Sequence, residues 1–317
     1  MPFKRLLFVA VLTRNLRQIL ETATCIPGIA FELFAIDDPQ VPGPCDLRLH
    51  DVFRRFNPDV IVLVPTIVAF DQMPTRAYLD ALRRECGVPI VQLYTDLPKP
   101  VWQDLAAQLV VAADVMVSLV GAGCATVDVS GHPDIARLDL WTPVVPPVAN
   151  AGARDIDVSM LGSLKEFQYR GEALAHLGRN GITVATGGGQ DANYAVSPLD
   201  YYRTLQRSKI VLNFSQLGAR IVDADGNLVH GLKGRVLETL ACGSLLLESR
   251  NAVTAQYFSD GRDYMSFDGL DDLTEKIKFY LANDTLRRAI AESGNRAFQA
   301  RYTAPQFWTR LLEEAAS

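Results

Sequence analysis

Short apolar runs without polar alternation recur along the first half of the chain, at Leu6–Leu12, Phe31–Ile36, Val60–Val64, Pro89–Tyr94 and Val115–Val120. Half-exposed strands alternate apolar and polar positions, whereas parallel strands covered on both faces do not, so these runs predict a parallel sheet. Helix-compatible segments at Thr75–Cys86 and Val101–Ala113 supply the crossovers, and Asn57-Pro58-Asp59 and Gly87-Val88-Pro89 mark where extended chain restarts. Between Trp141 and Arg154 the composition changes, and Pro143, Pro146 and Pro147 remove backbone donors. This predicts a linker over 143–154, between a first domain at 1–142 and a second at 155–302. The second series reads Ile156–Leu161 strand, Tyr169–Leu177 helix, Ile182–Ala185 strand, Pro198–Arg207 helix, Lys209–Phe214 strand, Arg235–Ala241 helix and Ser244–Glu248 strand. Leu270, Leu273, Ile277 and Leu281 follow at helical spacing, and Thr303-Ala304-Pro305 opens a last helix over 303–317. The expected fold class is α/β, with two Rossmann-like domains facing a cleft.

Composition agrees with two folded domains. The 317 residues are about twice a typical domain of ~150, and 49% hydrophobic against 21% charged residues supplies real cores. With 31 basic and 36 acidic residues the formal charge is -5, so there is no positive field for a phosphate polymer, and a nucleic-acid partner is not expected. The five cysteines are scattered and form no C-x-x-C pair, which suits a reducing, cytoplasmic location. Lys4-Arg5 before Leu6–Leu12 superficially suggests a secretory signal, but Thr13-Arg14-Asn15 ends the run without a cleavage pattern, so a buried strand is expected. No stretch reaches the roughly 18 apolar residues of a membrane span, which leaves peripheral contact as the expected form of any membrane interaction.

The candidate chemistry concentrates in Lys209–Gln216 and His230–Gly243, followed by Ser244–Glu248. Lys233 and Arg235 flank Gly234 where a helix begins, bringing two cations and the positive helix end to one spot suited to a diphosphate. Glu238 lies one turn further, placed to accept hydrogen bonds from sugar hydroxyls. The same residues also suit a solvated helix start whose dipole Glu238 complements, and spacing does not choose between the two. Asp223-Ala-Asp225 fits a D-x-D metal pattern, yet Asp225-Gly226-Asn227 between Arg220–Val222 and Leu228–Val229 reads as a hairpin turn. Gly187-Gly188-Gly189 and Gly121-Ala-Gly123 lack the dinucleotide-binding register. His50, His132, His176 and His230 show no ligand spacing, so no metal is expected. Trp102 beside Pro100 is an aromatic that would either stack on an acceptor or pack in the core.

Arg235-Val-Leu-Glu-Thr-Leu-Ala-Cys-Gly243, the strand Leu245–Glu248, Phe258-Ser-Asp-Gly-Arg-Asp-Tyr264 and Asp271–Leu273 together resemble the carboxy-terminal domain of GT-B glycosyltransferases, in particular the CgeB-like group. The resemblance extends to Asp157–Ser163 and Tyr201–Phe214 and spans roughly residues 155–312; the first half shares only its α/β pattern and Tyr94-Thr-Asp-Leu-Pro98. It implies transfer of a sugar from a nucleoside-diphosphate sugar to an acceptor hydroxyl, the acceptor being a glycan, lipid, protein or small molecule. The donor is then a co-substrate, with no separate cofactor. In related retaining enzymes an E-x7-E motif contacts the donor, and here Glu238 takes the second position while His230 stands at the first. His230 would then touch phosphate or a hydroxyl, or serve as a loop residue. The resemblance also places Gly162, Ser163, Ser215, Lys233, Gly234 and Arg235 on the donor. Should the reaction invert configuration, Asp96 is the candidate base, its alternative being an Asp-Leu-Pro turn. An epimerase of the same fold and a noncatalytic sugar or nucleotide-binding protein are the competing readings.

Overall fold

The computed structural model describes residues 3–317 apart from 12–13, 25, 39–42, 66–71, 96–99, 122–131, 133, 146–151, 165–166, 188–196, 218–220 and 223–224. The chain divides into two compact units, Met1–Val145 with Ala304–Ser317, and Pro146–Thr303.

The first unit alternates β1 (Arg5–Ala10), α1 (Arg14–Thr24), β2 (Ala30–Ala35), α2 (Cys45–Phe56), β3 (Val60–Leu63), α3 (Arg76–Cys86), β4 (Ile90–Tyr94), α4 (Pro100–Leu109), β5 (Val115–Ser118) and β6 (Ala136–Asp139). The strands pair in parallel in the order β2-β1-β3-β4-β5-β6. Every residue of β3, β4 and β5 is buried, which is why these strands read as continuous apolar runs. The Thr75 side chain accepts from the Tyr78 amide and starts α3, and Gly87 ends it with φ +65°. Two buried polar side chains of β4 close on themselves: Tyr94 Oη donates to Gln92 Oε1 at 2.7 Å, and Gln92 Nε2 donates to the Leu109 carbonyl at 2.9 Å. The helix Ala304–Glu314 joins this unit, where Trp308 Nε1 donates to Thr22 Oγ1 at 2.9 Å and its ring packs on Phe8.

The second unit runs β7 (Ile156–Leu161), α5 (Gln168–Arg179), β8 (Ala185–Gly187), α6 (Pro198–Arg207), β9 (Ser208–Asn213), α7 (Gly234–Ala241), β10 (Leu245–Ser249), α8 (Ala252–Tyr257), β11 (Met265–Phe267), α9 (Gly269–Ala282) and α10 (Asp284–Arg301); the helix Ala304–Glu314 is α11. Its parallel sheet has the order β11-β10-β9-β7-β8. Ser197 caps α6 through the Asp200 amide, with Pro198 in the first turn, and Asn251 caps α8 through Thr254. Arg154 ties the far ends of two helices together: its Nη1 donates to the carbonyls of Gln206 and Ser208, both at 2.8 Å, and its Nη2 to those of Cys242 and Gly243 at 2.8 and 2.7 Å. Helix carbonyls that end without partners are thereby satisfied by one guanidinium.

One predicted strand is displaced. Ile182–Ala185 is expected to be extended, but β8 occupies Ala185–Gly187. Gly181 adopts φ +76° and the Ile182 amide donates to the Leu177 carbonyl at 3.0 Å, so Ile182 closes the end of α5 and buries there instead. Helices α1, α2 and α10 and strand β6 carry no expectation from the pattern, because their apolar positions are interleaved with charge. The hairpin around Gly226 forms, with Val222 bridging Leu228 in antiparallel fashion; Asp223 lies outside the described residues. So do Asp96, Gly123, Gly188, Gly189, Cys25, Cys124 and residues 146–151, half of the expected 143–154 linker. The Trp102 side chain is likewise outside them. Among the described residues no helix is long and apolar enough to cross a membrane.

Candidate functional site

The carboxyl ends of β7, β9 and β10 and the start of α7 bring together most of the residues that the sequence singles out. Ligands of open parallel sheets bind at this end of the strands, because the loops there are released from the sheet while helix starts point their amides outward. Gly162 follows β7 with φ +134°, a backbone region that favours glycine. A Cβ built on it would lie 2.6 Å from Arg235 Nη2 and 3.1 Å from Arg170 Nη1. The turn therefore rests on two guanidinium groups. Its Gly162 amide donates to the Gly187 carbonyl at 2.7 Å, and the Ser163 carbonyl accepts from Arg170 Nη1 at 2.9 Å. Arg170 is itself buried, stacked over the Phe167 ring at 4.1 Å.

Lys233 is the cap residue of α7 and Gly234 its first residue, so the amides that open the helix sit beside the Lys233 backbone and no acidic side chain occupies the first turn. The half-buried Arg235 guanidinium lies against the Gly162 turn. Nη1 donates to Asn213 Oδ1 at 3.2 Å, Nη2 faces Gly162, and Nε is buried with no hydrogen-bond partner. Burial opposes its charge, but Tyr201, Glu238 and Glu248 outweigh burial and hold it protonated.

Glu238, one turn further along α7, is buried, at 8% exposure. Its Oε2 accepts from Tyr201 Oη at 2.5 Å. Burial, reinforced by the Glu238 charge, pushes the Tyr201 phenol far up, so Tyr201 remains a donor at neutral pH. Ser215, fully buried just past β9, has its Oγ 3.0 Å from His230 Nδ1, and Gln216 bridges His230 across the hairpin. Burial and the neighbouring Lys233 charge lower the His230 pKa, so the imidazole is neutral at neutral pH.

Three supporting residues escaped the sequence reading. Asn213 ends β9 and Glu248 is the next-to-last residue of β10, and Glu248 Oε2 accepts from Asn213 Nδ2 at 2.7 Å. Burial pushes Glu248 up to about 7, while hydrogen bonds from Asn213 and Ser215 and the charges of Arg235 and Lys233 pull the other way. Arg170 on α5 is the third. A polar residue ending an otherwise apolar parallel strand is a sequence feature that would have flagged the first two; nothing local distinguishes Arg170 from a surface cation. Among the described residues, no group of three or more His, Cys, Asp or Glu is placed to hold a metal ion.

The architecture has known counterparts. Anabaena HepE in complex with UDP superposes with a TM-score of 0.62 at 12% identity, over 98% of this chain and 99% of that chain. A glycosyltransferase from Rickettsia africae gives 0.62 at 8% identity, covering 99% and 98%. The sucrose-phosphate synthase of Thermosynechococcus elongatus gives 0.61 at 12% identity, covering 99% and 100%. At these identities the likeness establishes the fold, a two-sheet Rossmann-like α/β architecture of the GT-B type. No curated protein sequence matches the chain. The profile of one sequence family, described as glycosyl transferase-like, matches residues 148–313, more than half the chain and the whole of the site just described. The chain therefore belongs to the glycosyl transferase-like family.

Proposed function

We propose that the second unit binds a nucleoside-diphosphate sugar, with UDP as the first nucleotide to examine, and that the protein transfers the sugar to an acceptor hydroxyl. The observation that carries this reading is the Gly162 turn, where backbone lies against the guanidiniums of Arg235 and Arg170 beside the opening of α7. Bare backbone, two forked cations and a helix start form an anion cradle. The solved complexes of HepE with UDP, with UDP and glucose, and with UDP-glucose supply the reason to begin with uridine. The ordered motifs from Arg235 to Tyr264 favour the CgeB-like group within the family.

Breaking the anomeric C–O bond leaves negative charge on the diphosphate while positive charge develops on the sugar. Groups already oriented toward that phosphate stabilise the transition state without reorganising. Lys233, Arg235 and the α7 amides take this role, with the more deeply buried Arg170 holding the turn from beneath, and metal independence is part of the proposal. Glu238 and Tyr201 set the position of Arg235 and border the sugar side. Asp96, of the first unit, is proposed as the base if the reaction inverts. Ser163 joins the phosphate turn, and Gly162 and Gly234 let backbone approach the anion.

The experiment is thermal unfolding of wild type and Lys233→Ala with UDP, GDP, ADP, dTDP and CMP, followed by incubation of the matching sugar nucleotide with and without candidate acceptors. A ligand at about 100 times its dissociation constant adds about 2.7 kcal/mol of stability. We expect one diphosphate to stabilise the wild type and to do so less in Lys233→Ala. No response to any nucleotide sinks the reading; a rearranged sugar without acceptor identifies an epimerase, and binding without turnover a binding protein.

A further inference from the structure

Arg170 stands where three features oppose a cation. It lies in the first turn of α5, at the positive end of the helix dipole, and no acidic side chain shares that turn. It is buried, at 4% exposure. Its Nη1 and the Nη2 of a second guanidinium, Arg235, crowd one position, 3.1 and 2.6 Å from where a Gly162 Cβ would be. Strand-end carbonyls and an aromatic ring hold it there. Nη1 donates to the Ser163 carbonyl at 2.9 Å, Nη2 reaches the Phe214 carbonyl at 3.5 Å, and Cζ stacks 4.1 Å over the centre of the Phe167 ring.

The Ser163 bond fixes more than a carbonyl. In a planar trans peptide the C=O of one residue and the N–H of the next point in opposite directions. Turning the Ser163 carbonyl in toward the buried guanidinium therefore turns the Leu164 N–H out, away from it. The Gly162 amide is taken by the Gly187 carbonyl at 2.7 Å, and the Leu164 carbonyl accepts from the Phe167 amide at 3.4 Å. The Leu164 amide itself donates to no group among the described residues, and Leu164 is only half-buried. We infer that Arg170 is a positioning residue: by holding the Ser163 carbonyl it aims the Leu164 amide out of the turn, as a backbone donor to the diphosphate. This deepens the donor-site reading and rests on it for the identity of the anion.

A backbone amide aimed in this way differs from the cations beside it. Its partial charge is fixed in the chain, and no side chain has to be ordered when the anion arrives. The guanidinium that aims it offers a fork, one branch to Ser163 after β7 and the other toward Phe214 after β9. A lysine supplies one donor and a methionine none. Arg170→Lys therefore keeps the Ser163 bond and gives up the tie to β9, whereas Arg170→Met, of similar length, gives up both.

Labelling the full-length protein at serine carbonyl carbon and leucine amide nitrogen leaves three linked NMR signals, from Ser118-Leu119, Ser163-Leu164 and Ser244-Leu245, and a Leu164→Met spectrum identifies the middle one. Without ligand, residual dipolar couplings of that signal report the orientation of its peptide. We expect them to differ in Arg170→Met and to return in Arg170→Lys, with those of Leu119 and Leu245 unchanged throughout. On titration with UDP we expect the wild-type Leu164 amide proton to move downfield, and Arg170→Met to bind UDP roughly tenfold more weakly. An unchanged Leu164 orientation or an equal UDP affinity in Arg170→Met overturns the inference, as does a wild-type Leu164 signal that bound UDP leaves in place. Should Arg170→Met fail to fold, that wild-type response to UDP decides. Should UDP fail to bind wild type, the donor-site reading fails, while the ligand-free couplings still decide whether Arg170 aims the amide.

Discussion

Both sheets bury polar side chains in their strands, and the two cases are built differently. In β4, Gln92 and Tyr94 bond to each other and to the Leu109 carbonyl, all neutral groups in a closed circuit. In β9 and β10, Asn213 and Glu248 bond to each other but pass the connection outward, to Arg235 through Asn213 Oδ1. A closed neutral pair satisfies buried polarity and ends there. A buried carboxylate wired to a cation keeps a charge in the interior at a cost, and such costs concentrate where a site needs groups held in place.

This contrast is sharpest under pH change. Burial pushes the Glu248 carboxyl from its ordinary value of 4.5 up to about 7. A raised folded pKa means stability that is fully present below the unfolded pKa and lost as pH rises through the folded one, here between roughly pH 4.5 and 7. The difference corresponds to about 3 kcal/mol, and urea unfolding at several pH values should show Glu248→Gln removing most of it. His230, lowered by burial and Lys233, acts in the opposite sense, losing stability as pH falls through its titration. Comparing the two proteins at each pH isolates Glu248. Unchanged pH dependence in the variant would falsify the charged-interior half of the comparison.

Next in size is Gly162→Ala. The new methyl meets Arg235 Nη2 at 2.6 Å in a φ +134° backbone, so we expect a loss of about 2 kcal/mol in unfolding experiments and a larger proportional loss in UDP binding. A variant with full UDP affinity would separate the turn from the site. Tyr201→Phe removes the donor at 2.5 Å from the Glu238 carboxylate and should cost about 1–3 kcal/mol, because the acceptor stays behind, buried. The smallest effect belongs to the closed pair. Replacing Gln92 by Leu together with Tyr94 by Phe removes the side-chain pair and leaves only the Leu109 carbonyl without its donor, so we expect a loss of about 1 kcal/mol and no new pH dependence. A larger or pH-dependent effect there would erase the distinction between the two sheets.

The alternation of strands and helices was readable because burial on both faces leaves an unbroken apolar run, a property each segment carries alone. Strand β7 and helix α6 lie where the pattern places them, at Ile156–Leu161 and Pro198–Arg207. Helix α2 was not readable, since its buried Leu49 and Phe53 are separated by charged residues. At the site, the sequence pointed to Lys233, Gly234, Arg235 and Glu238 as neighbours on one helix. It could not show that Arg235 and Glu238 face inward, because inward or outward depends on which strands lie behind α7.

By itself, then, the sequence determined that the chain builds parallel α/β layers in two series and that its chemistry-bearing residues cluster after β9. Local propensity and burial pattern suffice for that, since they act within a few residues. Only the tertiary structure decided that Arg170 meets Arg235 at Gly162, and that Glu248 reaches Asn213, which in turn accepts from Arg235. These partners are brought together by the parallel register of β7, β9 and β10, which aligns strand ends far apart in the chain. The charges they carry acquire their roles from burial, which no single segment possesses alone.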